Sequence, residues 1–134
     1  MEILILNPPY HPRFSRSQRS PAVIKSGVIY YPLWLAYATG ALEKEGFTVK
    51  LVDAPAAGYN LSDVLGMAEE LGTKLVVMDT STPSIHNDIA VAEALKARIP
   101  GVFVLLVGPH VTAMPDQSMA MSLAVDAVAR GEYD

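Results

Sequence analysis

Three short stretches carry the residues of this chain that could do chemistry. They are Asn7-Pro8-Pro9-Tyr10, Asp79-Thr80-Ser81-Thr82-Pro83-Ser84 and Gly108-Pro109-His110-Val111-Thr112, and each follows an apolar run. The middle stretch places four hydroxyls, on Thr80, Ser81, Thr82 and Ser84, within five residues. Hydroxyls in that position can cap a following helix or hydrogen-bond to the polar groups of a ligand. A cap needs only one of them, most simply Ser84. Gly108 ends a strand-like run, where backbone lacking a Cβ can come close to a ligand; its other reading is a turn glycine. His110 adds a polar group nearby, although a lone histidine more often serves as a surface or hydrogen-bonded residue. The chemistry on offer is recognition rather than bond cleavage.

Complete catalytic constellations are missing. His11, His86 and His110 do not have metal-ligand spacing, and the chain has no cysteine to build a disulfide, thiolate site or iron–sulfur cluster. No Gly-x-Gly-x-x-Gly or Walker loop follows the first apolar run, so dinucleotide or triphosphate binding has no support. Asp53 stands where nucleotide-binding folds put a ribose-contacting acid, but it lacks the glycine loop that goes with it. A hydroxyl-rich flavin phosphate loop is replaced here by prolines. A receiver domain needs an acidic pair after its first strand, and only Asp79 fits its pattern. We expect no catalytic residue and no metal ligand within the chain.

The elements that must position these loops are legible from periodicity. Ile3-Leu4-Ile5-Leu6 is continuously apolar, as a parallel strand covered on both faces should be. Further strands are expected at 49–53, 75–78, 102–107 and about 127–129. A helix is expected to begin near Pro32 and end at Gly46, with Leu35, Ala38 and Leu42 on its inner face. Leu61, Val64, Ala68 and Leu71 mark a second helix, and Ile85, Ile89, Ala92, Leu95 and Ile99 a third. A short fourth is expected at about 116–122. Strands alternating with helices imply right-handed crossovers. The expected fold is a flavodoxin-like (Rossmann-like) α/β three-layer sandwich with a five-stranded parallel sheet of order 2-1-3-4-5. In that order the direction of the connections reverses between strands one and three, and the crevice beyond their C-terminal ends is the expected ligand site.

With 134 residues, 51% apolar and 18% charged, the chain suits one well-filled domain. It has no apolar run of the ~20 residues a membrane span needs and no secretory leader pattern. A cytoplasmic setting without membrane association is expected. A net charge of −4 gives no general attraction to nucleic acid. Charge is uneven, however: no acid lies between Glu2 and Glu43, an interval that holds Arg13, Arg16, Arg19 and Lys25. This segment reads as too polar for core. It is expected to be an exposed, mobile loop that meets an anionic ligand or a partner domain.

Together these residues give the chain a family likeness. Ile3 to Tyr10, Pro32 to Gly46 with Leu51-Val52-Asp53 after it, and Thr80 to Ser84 followed by a helix all match. So do Val107-Gly108-Pro109-His110-Val111-Thr112-Ala113-Met114-Pro115 and the closing Val128-Ala129-Arg130-Gly131-Glu132. The chain resembles the N-terminal cobalamin (vitamin B12)-binding domain of radical S-adenosylmethionine (radical SAM) enzymes. The resemblance covers residues 1–134 as a single domain, expected to be the N-terminal part of a longer radical SAM protein.

The resemblance implies that cobalamin's nucleotide tail threads between strands one and three. Asn7, Pro8, Pro9, Tyr10, Thr80, Ser81, Thr82, Pro83, Ser84, Gly108, Pro109 and His110 would form the cofactor-binding set, and helices on either side would pack against the corrin edge. It further implies a C-terminal partner domain holding a 4Fe-4S cluster and S-adenosylmethionine, which would perform methyl transfer, cyclisation or related radical chemistry. One departure stands out. Better-known cobalamin proteins carry Asp-x-His-x-x-Gly after strand one, whose histidine ligates cobalt, whereas this chain has Asn7-Pro8-Pro9-Tyr10-His11-Pro12. No protein histidine is therefore expected beneath the metal, and Tyr10 is a candidate for that lower face. Two alternatives stay open: a cobalamin-free scaffold or substrate-recognition domain of such an enzyme, and a receiver-like signalling domain using Asp79.

Overall fold

The computed structural model describes residues 1–17 and 20–133. Arg19 of the basic segment lies outside the described residues. Five strands form one parallel sheet: β1 (Glu2–Asn7), β2 (Thr48–Asp53), β3 (Leu75–Asp79), β4 (Phe103–Val107) and β5 (Ala127–Val128). Their order is β2-β1-β3-β4-β5, as the alternating pattern predicts. The register pairs Leu6 with both Val52 and Met78, and Asp79 with Val107. The C-terminal ends of β1, β3 and β4 therefore finish level, at one edge.

Alternation along the strands splits the core in two. Leu4 and Leu6 point to one face, against Val64 and Ala68 of α3 (Leu61–Leu71) and Ile89 and Ala92 of α4 (Ile85–Arg98). Ile3 and Ile5 point to the other, against Leu35 of α1 (Leu33–Lys44). Every β1 side chain from Ile3 to Leu6 is buried, which is why this strand reads as an unbroken apolar run. α3 begins on a reciprocal cap, Asn60 Oδ1 accepting from the Asp63 N–H and Asp63 Oδ2 from the Asn60 N–H, each at 2.9 Å.

Three details depart from the pattern reading. A four-residue helix, α2 (Ala54–Ala57), directly follows β2. The stretch after Gly108 is helical, α5 (Pro109–Ala113), because proline at the first turn lacks only an N–H that a helix start leaves unpaired. Pro115 does the same for α6 (Pro115–Ala120), which starts and ends slightly earlier than expected.

The connection from β1 to α1, residues 8–32, is long for a strand–helix link, where ~2–6 residues are usual. Among its described residues, several are anchored. Phe14, Ser15 and Arg16 are buried. The Ser15 N–H donates to the Ala22 carbonyl at 3.0 Å, and Ser15 Oγ accepts from the Tyr30 N–H at 3.0 Å. The expectation of an exposed loop fails at residues 14–16.

Candidate functional site

The strand ends converge on one buried cation. The Arg16 guanidinium donates through Nη2 to Asp88 Oδ1 at 2.6 Å, and through Nη1 to Asn7 Oδ1 at 2.9 Å and the Pro8 carbonyl at 2.5 Å. Its Nε donates to Ser84 Oγ at 3.2 Å. Both side chains of the Arg16–Asp88 pair are fully buried. Ser84 Oγ donates to Asp88 Oδ2 at 2.7 Å and stands 2.5 Å from Ser81 Oγ. Asn87 Nδ2 donates to the Pro9 carbonyl at 2.7 Å, and Asn7 Nδ2 to Asp53 Oδ1 at 2.8 Å. The network thus ties the end of β1 to the end of β2 and to the start of α4.

Two more carboxylates share the positive field. Burial pushes Asp53 above its ordinary value, opposed by Asn7, the Ala56 backbone and Arg16. Burial likewise raises Asp79, at the end of β3, from 3.8 to about 7, with Arg16 and the Thr80 N–H pulling the other way. Asp88 is also raised by burial in spite of Arg16. Taking a carboxylate out of water here outweighs the attraction of one cation shared among three acids.

A cleft of about 400 Å³ opens beside the network. Its floor and polar wall include Arg16, Asp79, Gly108 and Thr112; Pro32, Trp34, Leu35 and Pro109 supply apolar surface, and Gly131 to Tyr133 close one side. Trp34 is half exposed, with its ring centroid 6.0 Å from that of exposed Tyr37. Tyr30, Tyr31 and Leu33, close in sequence, are also exposed.

The twelve residues expected to bind a cofactor fall into four settings. Gly108 and Pro109 line the cleft. Asn7, Pro8, Ser81 and Ser84 belong to the buried network, while the Thr80 hydroxyl is spent on the Val107 carbonyl at 2.7 Å. Ser84 makes no helix cap; its hydroxyl serves Asp88 instead. Pro9 and Tyr10 line a different hollow, with His11, Asn60 and Asn87. Thr82 and Pro83 sit on an exposed turn, where Thr82 Oγ1 lies 3.2 Å from Nδ1 of buried His110. Burial lowers the His110 pKa, which favours the neutral ring. Residues beyond that set also matter: Arg16, Asp88, Trp34, Leu35 and Thr112.

Gly108 has φ +101°, and a Cβ there would collide with the Asp79 side chain and the Thr80 backbone. Its lack of a side chain is demanded from inside the protein, before any ligand is considered. Asp79 suits the receiver reading poorly, because it is buried, its Oδ1 accepts from the Thr80 N–H at 2.9 Å, and Asn7-Pro8 stands where the acidic pair should be.

The model of the B12-binding domain matches residues 19–134. The chain belongs to the B12-binding domain family. It is 31% identical over 132 residues to an uncharacterised methyltransferase of Pyrococcus horikoshii, covering 98% of this chain and 27% of that protein. Two proteins named anaerobic magnesium-protoporphyrin IX monomethyl ester cyclase are also similar. That of Cereibacter sphaeroides is 27% identical and that of Rubrivivax gelatinosus 29%, each over 133 residues and 98% of this chain. The chain spans 20% and 22% of those two proteins. Among the described residues, no helix is long and apolar enough to cross a membrane.

Two predictions follow from the site. A carboxyl whose proton is held more tightly in the folded chain stabilises the fold fully below about pH 3.8, and that contribution is lost as pH rises through about 7. Asp79→Asn keeps an acceptor for the Thr80 N–H but has no charge to bury. Its unfolding free energy should therefore gain on the wild type as pH rises through this window; a constant difference would show that Asp79 titrates normally. Separately, Gly108→Ala should cost about 1–3 kcal/mol through its backbone conformation alone, whereas Gly66→Ala in α3, with open space around it, should gain about 0.5–1 kcal/mol. Equal effects in denaturant titrations would refute the special geometry at Gly108.

Proposed function

We propose that the chain is the cobalamin-binding module of a longer radical SAM protein. The observation that carries this reading is the family match, on a fold whose open cleft lies at the crossover edge. Cobalamin is far larger than the cleft, so only part of it would enter. The residues suit that role: Trp34, Leu35, Pro32 and Pro109 offer apolar surface to the corrin edge or its substituents, while Thr112 and the Gly108 backbone offer polar groups. The nucleotide tail would run toward the ends of β1 and β3, near Ser81 and Ser84.

When bound, cobalamin supplies a cobalt centre able to carry a methyl group or exchange electrons. The chain's own part is to bind and orient it and to shield one side from water. Methyl transfer or cyclisation, with its 4Fe-4S cluster and S-adenosylmethionine, would belong to a further domain of the longer protein. The lengths of the relatives support that division. A second reading, a cobalamin-free scaffold, draws on one observation: protein side chains fill the crevice through which a tail would pass.

Gel filtration with excess hydroxocobalamin separates the two. The chain should elute coloured, with the fluorescence of Trp34, its only tryptophan, quenched on binding. Colourless elution of both this chain and the longer protein would favour the scaffold.

A further inference from the structure

The crossover crevice is held by a side chain from the long 8–32 connection, and this bears on how any ligand gets in. Arg16 reaches from that connection to the Asn7 and Pro8 end of β1 on one side and to Ser84 and Asp88 of the β3–α4 junction on the other. All three of its nitrogens are engaged by protein acceptors, and its side chain is fully buried. It has little capacity left to greet a ligand's phosphate while these bonds stand.

The ion pair is also a weak device for stability alone. Replacing a buried pair by apolar groups of similar volume is often neutral or stabilising. Here the cation is mounted on a connection whose own regular pairing, among the described residues, is a single antiparallel bridge, Ser15 with Ala22. Around it, Phe14 meets Tyr10 edge-on at 4.9 Å, and the guanidinium lies 5.3 Å from the Phe14 ring centroid. Withdrawing Arg16 would therefore move a small local unit without disturbing the sheet.

We propose that Arg16 is a latch: its side chain closes the crevice between the ends of β1 and β3, and it must swing out before the polar tail of a ligand can enter. The inference rests on the cobalamin reading and adds a gating step to it. On opening, Ser84 and Asn7 lose their shared partner and become available to the tail, with Ser81 beside them on Ser84 Oγ. The Ser84 and Asn87 side chains remain to bond Asp88. The 14–16 segment, with Tyr30 tied to it through Ser15 Oγ, would shift as the latch releases.

Hydrogen–deuterium exchange and binding kinetics with hydroxocobalamin test this on the full chain. The Phe14 and Ser15 amides, bonded to the His11 and Ala22 carbonyls, should exchange at least about tenfold faster at saturating cobalamin, while β1 and β3 stay protected. Arg16→Met fills the volume without the charge and should raise the association rate about tenfold, because the closed fraction no longer limits binding. Asp88→Asn, which weakens the latch but keeps Arg16 in place, should do so less strongly and serves if Arg16→Met does not fold. Tight cobalamin binding with unchanged exchange at Phe14 and Ser15 overturns the latch and leaves the cobalamin reading standing. Failure of the wild type and both variants to bind overturns the cobalamin reading, and the latch with it. Binding by the variants but not by the wild type supports the latch.

Discussion

One buried guanidinium organises the functional edge of this domain. Arg16 is the cation facing Asp53, Asp79 and Asp88, and its bonds join β1, the β3–α4 junction and the long connection between them. A buried charge is tolerated only when paired and hydrogen-bonded. The requirement works in both directions. Asp88 can lie on the inner face of α4 because Arg16 is there, and the 8–32 connection is anchored because Arg16 has nowhere else to discharge its cost. Among the described residues, no buried side-chain nitrogen or oxygen lacks a partner.

The arrangement also separates two jobs that the loops seemed to share. Hydroxyls near strand ends can bind a ligand or satisfy their neighbours. Thr80, Ser81 and Ser84 do the second, and the open cleft is left to Trp34, Leu35, Pro109, Thr112 and the Gly108 backbone. The cleft is accordingly apolar on the α1 side and charged at its floor. That suits a large, mostly apolar ring system with polar substituents better than a small anion.

The sheet was legible in the sequence because its signals are local. Unbroken apolar runs gave β1, β3 and β4, and the helical spacing of Val64 and Ala68 or Ile89 and Ala92 gave α3 and α4. The alternating pattern then favoured the observed strand order, and the family likeness rested on loops in the right sequence. What stayed hidden depends on distant pairing. Arg16 and Asp88 lie 72 positions apart, and Arg16 sits among polar residues that look solvated. One signal was available: Asp88 falls beside Ile85, Ile89 and Ala92 on an apolar stripe, and a carboxylate there requires a buried cation. Gly108 was found as a special position, but its cause lies in Asp79 and Thr80 across the β3–β4 pair, which local pattern does not reveal. The short helices α2 and α5 escaped because a single turn has too few residues to show a period.

The interdependence of Arg16 and Asp88 is the central claim, and a double-mutant cycle in denaturant unfolding tests it most directly. Arg16→Met and Asp88→Leu should each cost about 3–5 kcal/mol, since each strands the other charge in the interior. The double variant, which strands neither, should cost less than either single change. If the two costs simply add, the pair does not act as a unit, and the account of this edge as organised by one buried cation is wrong.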